Sequence, residues 1–190
     1  MFDSFIYMHY GDSLPSGTPM GNDSSGNATD WQWLVDDMFA EGTNLLAMEQ
    51  TAGQIKSELG LASDYTYKVI VAFYNPNPAT TDFGDIDGDG VSESFANYAD
   101  RVKAVKWYID MVEAKFAEHN FQNIELVGYY WFHEDMGASR DIDELLPEVA
   151  DYIHGLGRDF SWVPYFAAAG YTNWANYGLD IACMQPNYAF

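Results

Sequence analysis

Short apolar runs alternate along the chain with segments in which apolar side chains recur every three or four residues. The runs are rich in β-branched and aromatic residues, and they predict strands near residues 3–10, 68–75, 124–132, 160–166 and 181–187. The periodic segments predict helices over residues 30–42, 43–60, 102–116 and 141–157. Asp30 and Thr43 are expected to cap the first two helices, because both precede apolar positions at helical spacing.

This alternation predicts a parallel sheet whose strands are joined by right-handed crossovers. No strand is followed by a Gly-x-Gly-x-x-Gly or phosphate-binding loop, which disfavours an open nucleotide-binding sheet. Several strands end instead in polar or aromatic residues, as the strands of a (β/α)8 barrel of the TIM type do. A complete barrel needs about 200–250 residues. We therefore expect residues 1–190 to form a single, incomplete barrel domain, truncated at its C-terminus after five strands and carrying an acidic insertion over residues 77–97.

The chain is strongly acidic, with 29 Asp and Glu against 8 Lys and Arg and a net charge of −21. Such a surface repels nucleic-acid phosphates and anionic membranes, so we expect neither as a partner. Neutral sugars and cations suit it better. The single cysteine, Cys183, lies in an apolar run and is expected to be a small buried hydrophobic residue.

The third predicted strand ends in His133, Glu134 and Asp135, where the chain leaves the core. In α/β folds, catalytic and binding groups collect at the carboxyl ends of parallel strands. Glycoside hydrolysis needs a carboxylic acid and a second carboxylate about 5–10 Å away. Glu134 is the candidate general acid/base. The second carboxylate is left open between Asp12 and Glu49.

Polar and aromatic side chains near the strand ends are predicted to bind the carbohydrate, since flat aromatic faces stack on sugar rings. They are His9, Tyr74, Asn75, Trp131, His133, Tyr165, Tyr171, Trp174, Gln185, Asn187 and Tyr188. Two alternatives remain open. One is a carbohydrate-binding barrel without catalysis. The other is a metal-dependent hydrolase that uses His9, His133, Glu134 and Asp135.

The acidic insertion predicts a Ca²⁺ loop. Oxygen ligands fall at every second position and glycine at the sixth, as in a tight calcium-binding loop. The predicted ligands are Asp85, Asp87, Asp89, the carbonyl of Val91 and Glu93, whereas the twelfth position holds Ala96 instead of an acid. A structural Ca²⁺ at this loop favours an extracellular or cell-surface location. The alternative is a solvated acidic turn.

Four segments of the chain resemble the bacterial domain-of-unknown-function family DUF4855: residues 129–134, 154–166, 170–174 and 184–190. Members of that family resemble glycoside hydrolases built on (β/α)-barrels. The resemblance implies further strands after Phe190, and it places Glu134 where a large group of barrel glycosidases has its acid/base glutamate. That group has Asn before this glutamate, where this chain has His133, and its nucleophile lies on a late strand beyond the five predicted here.

Overall fold

A computed structural model describes residues 3–9, 13–19, 25–138 and 141–186. Its sheet has five parallel strands in the order β1-β2-β3-β4-β5 and curls into a half-barrel. The strands are β1 (Ser4–Tyr7), β2 (Tyr67–Phe73), β3 (Ile124–Trp131), β4 (Asp159–Trp162) and β5 (Ile181–Ala182). The strand positions predicted from the sequence are confirmed, and the architecture is consistent with an incomplete (β/α)-barrel.

Three strands are shorter than predicted: β1 ends at Tyr7, and β4 and β5 also end early. β4 ends at Trp162, two residues before Pro164, which has no N–H to offer a neighbouring strand. β5 has only two residues, although the N–H of Cys183 still donates to the carbonyl oxygen of Trp162. Glycine is required within β3, because a side chain at Gly128 would clash with the backbone oxygen of Asp159 on β4.

The described chain contains four α-helices, α1 (Ala28–Met38), α2 (Asn44–Leu59), α3 (Tyr98–His119) and α4 (Ile142–Gly155). They pack against the face of the sheet that carries Val69, Val71 and Phe73, all fully buried. Two short 3-10 helices, Met136–Ala138 and Trp174–Tyr177, lie in the loops after β3 and β4. No helix in the described ranges is long and apolar enough to cross a membrane.

The start of α1 corrects a prediction. Asn27, not Asp30, is the N-cap: its side chain accepts the N–H of Asp30, and the carboxylate of Asp30 accepts the N–H of Asn27. This reciprocal pair is a capping box, so the helix begins three residues earlier than its apolar spacing indicates. Asp30 also accepts hydrogen bonds from the N–H and hydroxyl of Ser16, which fixes the preceding loop to the helix.

The acidic insertion is anchored in the core by two aromatic residues. Phe83 and Phe95 are buried, and both rings pack on the fully buried Trp31 of α1, with centroids 5.0 and 6.1 Å away. Two backbone hydrogen bonds close the base of the insertion. The N–H of Phe83 donates to the carbonyl oxygen of Glu93, and the N–H of Glu93 donates to the carbonyl oxygen of Gly84. The loop between them is therefore held at a fixed place on the fold.

The two edge strands leave apolar side chains exposed. Ile6 and Met8 follow one edge, and Ile181 follows the other. Cys183 is exposed as well, so the expectation that it is buried is wrong. Its position explains the difference, because the chain around it lies at the edge of the sheet and has a described neighbouring strand on one side only.

Candidate functional site

Alternate residues of β3 and of its extension point to opposite faces of the sheet. Tyr130, Phe132 and Glu134 line a cleft of about 410 Å³, whose other lining residues are Ile6, Met8, Val163 and Gln185. Tyr129, which directly precedes Tyr130, points to the opposite face, and its hydroxyl donates to Glu113 on α3. The cleft therefore lies on the face of the sheet opposite the helices, at the carboxyl end of β3.

Among the described residues that line this cleft, Glu134 has the only charged side chain. It is half-buried, and it has no hydrogen bond or ion pair with any residue of the described ranges. Burial raises the pKa of Tyr130 well above its usual range, and the negative charge of Glu134 raises it further. The phenol and the carboxylate thus share one environment. A half-buried carboxylate without a protein partner is available for a ligand.

Trp131 does not line the cleft. Its side chain is fully buried on the helix-facing side of the sheet, with its ring centroid 5.3 Å from that of Phe73. Positions an odd number of residues apart on an extended strand point to opposite faces, so Trp131 and Glu134, three residues apart, are separated by the sheet. The tryptophan predicted to stack on a sugar is a core residue.

His9 also points toward the helices. Its Nε2 lies 3.1 Å from the carboxylate of Asp37 on α1, and its ring lies 5.4 Å from that of Trp33. The backbone N–H of His9 donates to the hydroxyl of Tyr74, which in turn donates to the carbonyl oxygen of His9. His9 and Tyr74 thus join the ends of β1 and β2 and attach them to α1.

His133 and Asn75 are buried with assigned partners. The Nδ1 of His133 accepts the N–H of Asp135 at 3.2 Å, and its carbonyl oxygen accepts the indole N–H of Trp162 at 2.8 Å. The carbonyl oxygen of Asn75 accepts the hydroxyl of Ser25 at 3.0 Å. In this structure both residues hold the carboxyl ends of their strands in place.

Asp135 joins two loops beside the cleft. One carboxylate oxygen accepts the N–H groups of Gly137 and Ala169, at 2.8 and 3.0 Å, and the other accepts the hydroxyl of Tyr165 at 3.3 Å. A hydrogen bond from the N–H of Met136 to the carbonyl oxygen of Ala169 reinforces the junction. Asp135 therefore fixes the loop after β4 against the loop after β3.

The remaining predicted binding residues occupy different places. Gln185 lines the cleft with Glu134. Tyr165 and Trp174 are half-buried and Tyr171 is exposed, all three in the loop after β4 that Asp135 fixes. Asn187 and Tyr188 lie outside the described residues.

The two candidates for a second carboxylate do not pair with Glu134. Glu49 binds backbone N–H groups at the amino end of β3, roughly 30 Å from Glu134 at a rise of about 3.3 Å per residue. Asp12 lies outside the described residues. Among the side chains that the structure places in the cleft, Glu134 has no carboxylate partner.

The metal-hydrolase set is not brought together. His9 faces α1, whereas Glu134 faces the cleft on the other side of the sheet. Within the described part of the chain, the one group of three metal-type side chains is Asp85, Asp87 and Asp89.

The Asp85–Glu93 loop is folded around a group of three aspartates. Its three aspartates each offer an oxygen atom within 4.8 Å of the others. Asp85 accepts the N–H groups of Gly88 and Gly90, at 2.7 and 2.8 Å, which folds the loop around this carboxylate. Lys103 pairs with Asp87 and Glu93. This contact lowers the pKa of Asp87 and raises that of Lys103.

Several residues of the cleft were not predicted from the sequence. Tyr130 and Phe132 were assigned to a buried strand, although they stand four and two residues before Glu134. That period of two places them on its face of the sheet. Ile6, Met8 and Val163 lie in or directly after other strands. Their proximity to Glu134 therefore depends on the order and curvature of the sheet.

Comparison with curated proteins and with solved structures finds no match. A family model does match, over residues 1–190, and its description is "Domain of unknown function (DUF4855)". The segments noted above around β3, β4 and β5 lie within this match. The chain therefore belongs to the DUF4855 family.

Proposed function

We propose that this protein is a carbohydrate-active barrel protein of the (β/α)8 type, a glycoside hydrolase acting on oligo- or polysaccharide, with Glu134 as general acid/base. One observation carries the proposal: Glu134 is a half-buried carboxylate without a protein partner among the described residues, in a cleft at the carboxyl end of a parallel strand. This is the end at which barrel enzymes place their catalytic groups.

The surroundings of Glu134 suit a sugar. The apolar and aromatic lining of the cleft accommodates the C–H faces of a pyranose ring, and Gln185 offers an amide for its hydroxyl groups. The volume of about 410 Å³ lies within the usual range for small-molecule sites. The sequence resemblance noted above, which implies a likeness to glycoside hydrolases built on (β/α)-barrels, supports the same proposal.

The test is the substitution Glu134→Gln, which keeps the shape of the side chain and removes the transferable proton. Hydrolysis of a polysaccharide that the wild-type protein degrades is expected to fall by about two to four orders of magnitude. Glu118→Gln is the matched control, because it removes the same charge from an exposed helix position. Unchanged turnover by Glu134→Gln would eliminate Glu134 as the acid/base.

A second candidate function is carbohydrate binding without hydrolysis. It is favoured by the absence of a second carboxylate among the described side chains of the cleft, since hydrolysis needs a pair. Oligosaccharide binding by a wild-type protein that releases no reducing ends from the same sugar would establish this alternative.

For the acidic insertion, we propose a structural Ca²⁺ held by Asp85, Asp87, Asp89, the carbonyl of Val91 and Glu93, in a protein that works at the cell surface or outside the cell. The folded loop and the proximity of its three aspartates support the proposal. Binding requires Lys103 to release Asp87 and Glu93.

Calcium is then expected to stabilise the fold by mass action, by about 2.7 kcal/mol when free Ca²⁺ is a hundred times its Kd. Thermal unfolding with Ca²⁺, with Mg²⁺ and with a chelator measures this. Asp89→Asn should abolish the rise in Tm, whereas Asp64→Asn, at an exposed site outside the loop, should preserve it. Equal Tm values in all three conditions would leave the acidic turn as the correct interpretation.

A further inference from the structure

The counter-charge of Glu134 is missing from the described protein. Of the 8 Lys and Arg residues, Arg140 lies outside the described ranges, which leaves seven. All seven are bound elsewhere, six of them to carboxylates, as Lys68 is to Glu125, and Lys56 to backbone carbonyls. None of them contacts Glu134. A ligand is therefore free to supply the positive charge.

The walls around Glu134 strengthen the attraction for a cation. Tyr130 and Phe132 are buried at the base of the cleft, with ring centroids 6.3 Å apart, and Met8 and Val163 add apolar surface. A charge pair is stronger in such surroundings than in water, because fewer water dipoles screen it. Aromatic rings also attract cations held within about 6 Å of the ring centre.

We propose that the cleft binds an amine-bearing sugar through its protonated amino group, held between the carboxylate of Glu134 and the aromatic rings of Tyr130 and Phe132. The inference rests on the proposed use of the cleft for carbohydrate and names the class of sugar. It does not depend on whether Glu134 also transfers a proton.

Three features favour an amine over its neutral analogues: the charge and donors of the ammonium group, the acceptor on Gln185 and the net charge of the protein. An ammonium group has three N–H donors and a full charge, whereas an N-acetyl group has one N–H and no charge. Gln185 adds a side-chain carbonyl oxygen that can accept a second N–H or a hydroxyl. The net charge of −21 attracts a cationic oligosaccharide from a distance and speeds its association.

The experiment is a calorimetric titration of the full 190-residue chain with three tetrasaccharides: a glucosamine tetramer with free amines, its fully N-acetylated form and a neutral glucose tetramer. It is run at low salt and at about pH 6, where amino groups are protonated and most carboxylates are ionised. The free-amine tetramer is expected to bind about tenfold more tightly than the other two, as a partly desolvated cation contact allows.

Three variants test whether the preference for the free-amine tetramer arises in this cleft. Glu134→Gln should bring the three affinities within about twofold of one another, whereas Glu118→Gln should retain the preference despite losing the same charge. Phe132→Leu should weaken binding of the free-amine tetramer more than binding of the neutral tetramer, because it removes an aromatic ring and keeps an apolar side chain. Far-ultraviolet circular dichroism and thermal unfolding verify that each variant is folded.

The outcomes separate this inference from the proposed function. Equal affinity of the wild-type protein for all three sugars would overturn the amine site and leave carbohydrate binding intact. Binding of none of them would overturn the amine site and count against carbohydrate recognition by the cleft. An amine preference that survives in Glu134→Gln would show that the general negative charge of the protein is responsible, and it would overturn the assignment to this cleft.

Discussion

The two ends of β3 each have a half-buried glutamate, and the two side chains have opposite surroundings. At the amino end, Glu49 accepts hydrogen bonds from the N–H groups of Gln122, Asn123 and Ile124, at 3.0 Å each. It also accepts the side-chain amide of Asn123 at 2.8 Å. At the carboxyl end, Glu134 has no hydrogen bond within the described ranges.

The difference shows how a carboxylate can be assigned a role from its partners. The four donors around Glu49 fully occupy its oxygen atoms, so its charge stabilises the turn that leads into the strand. Glu134 has the same chemistry and similar burial, but its oxygens remain available. In (β/α)8 barrels the amino end commonly serves stability and the carboxyl end serves function, and the surroundings of these two glutamates are compatible with that division.

Glu49→Ala should produce the largest change in stability. It leaves three backbone N–H groups without their acceptor, and hydrogen bonds to a charged group are the stronger kind. We expect the free energy of unfolding to fall by about 2–4 kcal/mol. Urea unfolding followed by circular dichroism measures the change.

The matched variant is Glu134→Ala, at the other end of the strand. It removes no hydrogen bond within the described structure, so the free energy of unfolding should stay within about 0.5 kcal/mol of wild type. A decrease in the free energy of unfolding as large as that of Glu49→Ala would contradict this comparison and show that Glu134 is a structural carboxylate.

Asp135→Ala tests the other acidic residue at the carboxyl end and should have an intermediate effect. The two N–H groups and the phenol that it binds lie at or near the surface, so water replaces part of the interaction. We expect a loss of about 1–2 kcal/mol. The more specific result is faster hydrogen exchange at the amides of Gly137 and Ala169, because both lose their acceptor.

Tyr165→Phe is the control for this variant. It removes only the hydroxyl contact with Asp135 and leaves both amide contacts in place. Exchange at Gly137 and Ala169 should therefore remain close to wild type. Equal acceleration in both variants would show that the tyrosine, not the carboxylate, holds the two loops together.

A smaller stabilising contribution should come from Glu125 on β3, which pairs with Lys68 and accepts the hydroxyl of Thr66. These contacts, with Lys68 the stronger, lower the pKa of Glu125 below its ordinary value of 4.5. Because the folded pKa is depressed, the stabilisation is fully present above that value and is lost as the pH falls through the folded pKa. Both side chains are more than a third exposed, so it amounts to about 0.2–1 kcal/mol.

Comparing Lys68→Met with wild type by urea unfolding from neutral pH down to about pH 3 measures this contribution. The two unfolding free energies should differ near neutral pH and converge as the pH decreases. A difference that grows on acidification would have the wrong sign for a depressed carboxyl pKa.

Much of the fold was predictable because its causes are local. The apolar run of β2 and the three-and-four spacing of α3 identify their elements without tertiary information. The start of α1 was misplaced for a local reason as well, since its cap depends on the paired side chains of Asn27 and Asp30 and not on apolar spacing. The eight-stranded barrel type stays a prediction.

The sequence by itself determined that Glu134 follows a buried strand, at the end where parallel sheets place functional groups. It also determined the acidic loop, because the spacing of its ligands is local. Only the tertiary structure decided which side chains from other strands meet Glu134. His9 turns toward the helices, whereas Met8 and Gln185, from opposite edges of the sheet, reach the cleft. Strand order and sheet curvature determine which of these side chains come together, and no local pattern in the sequence encodes either of them.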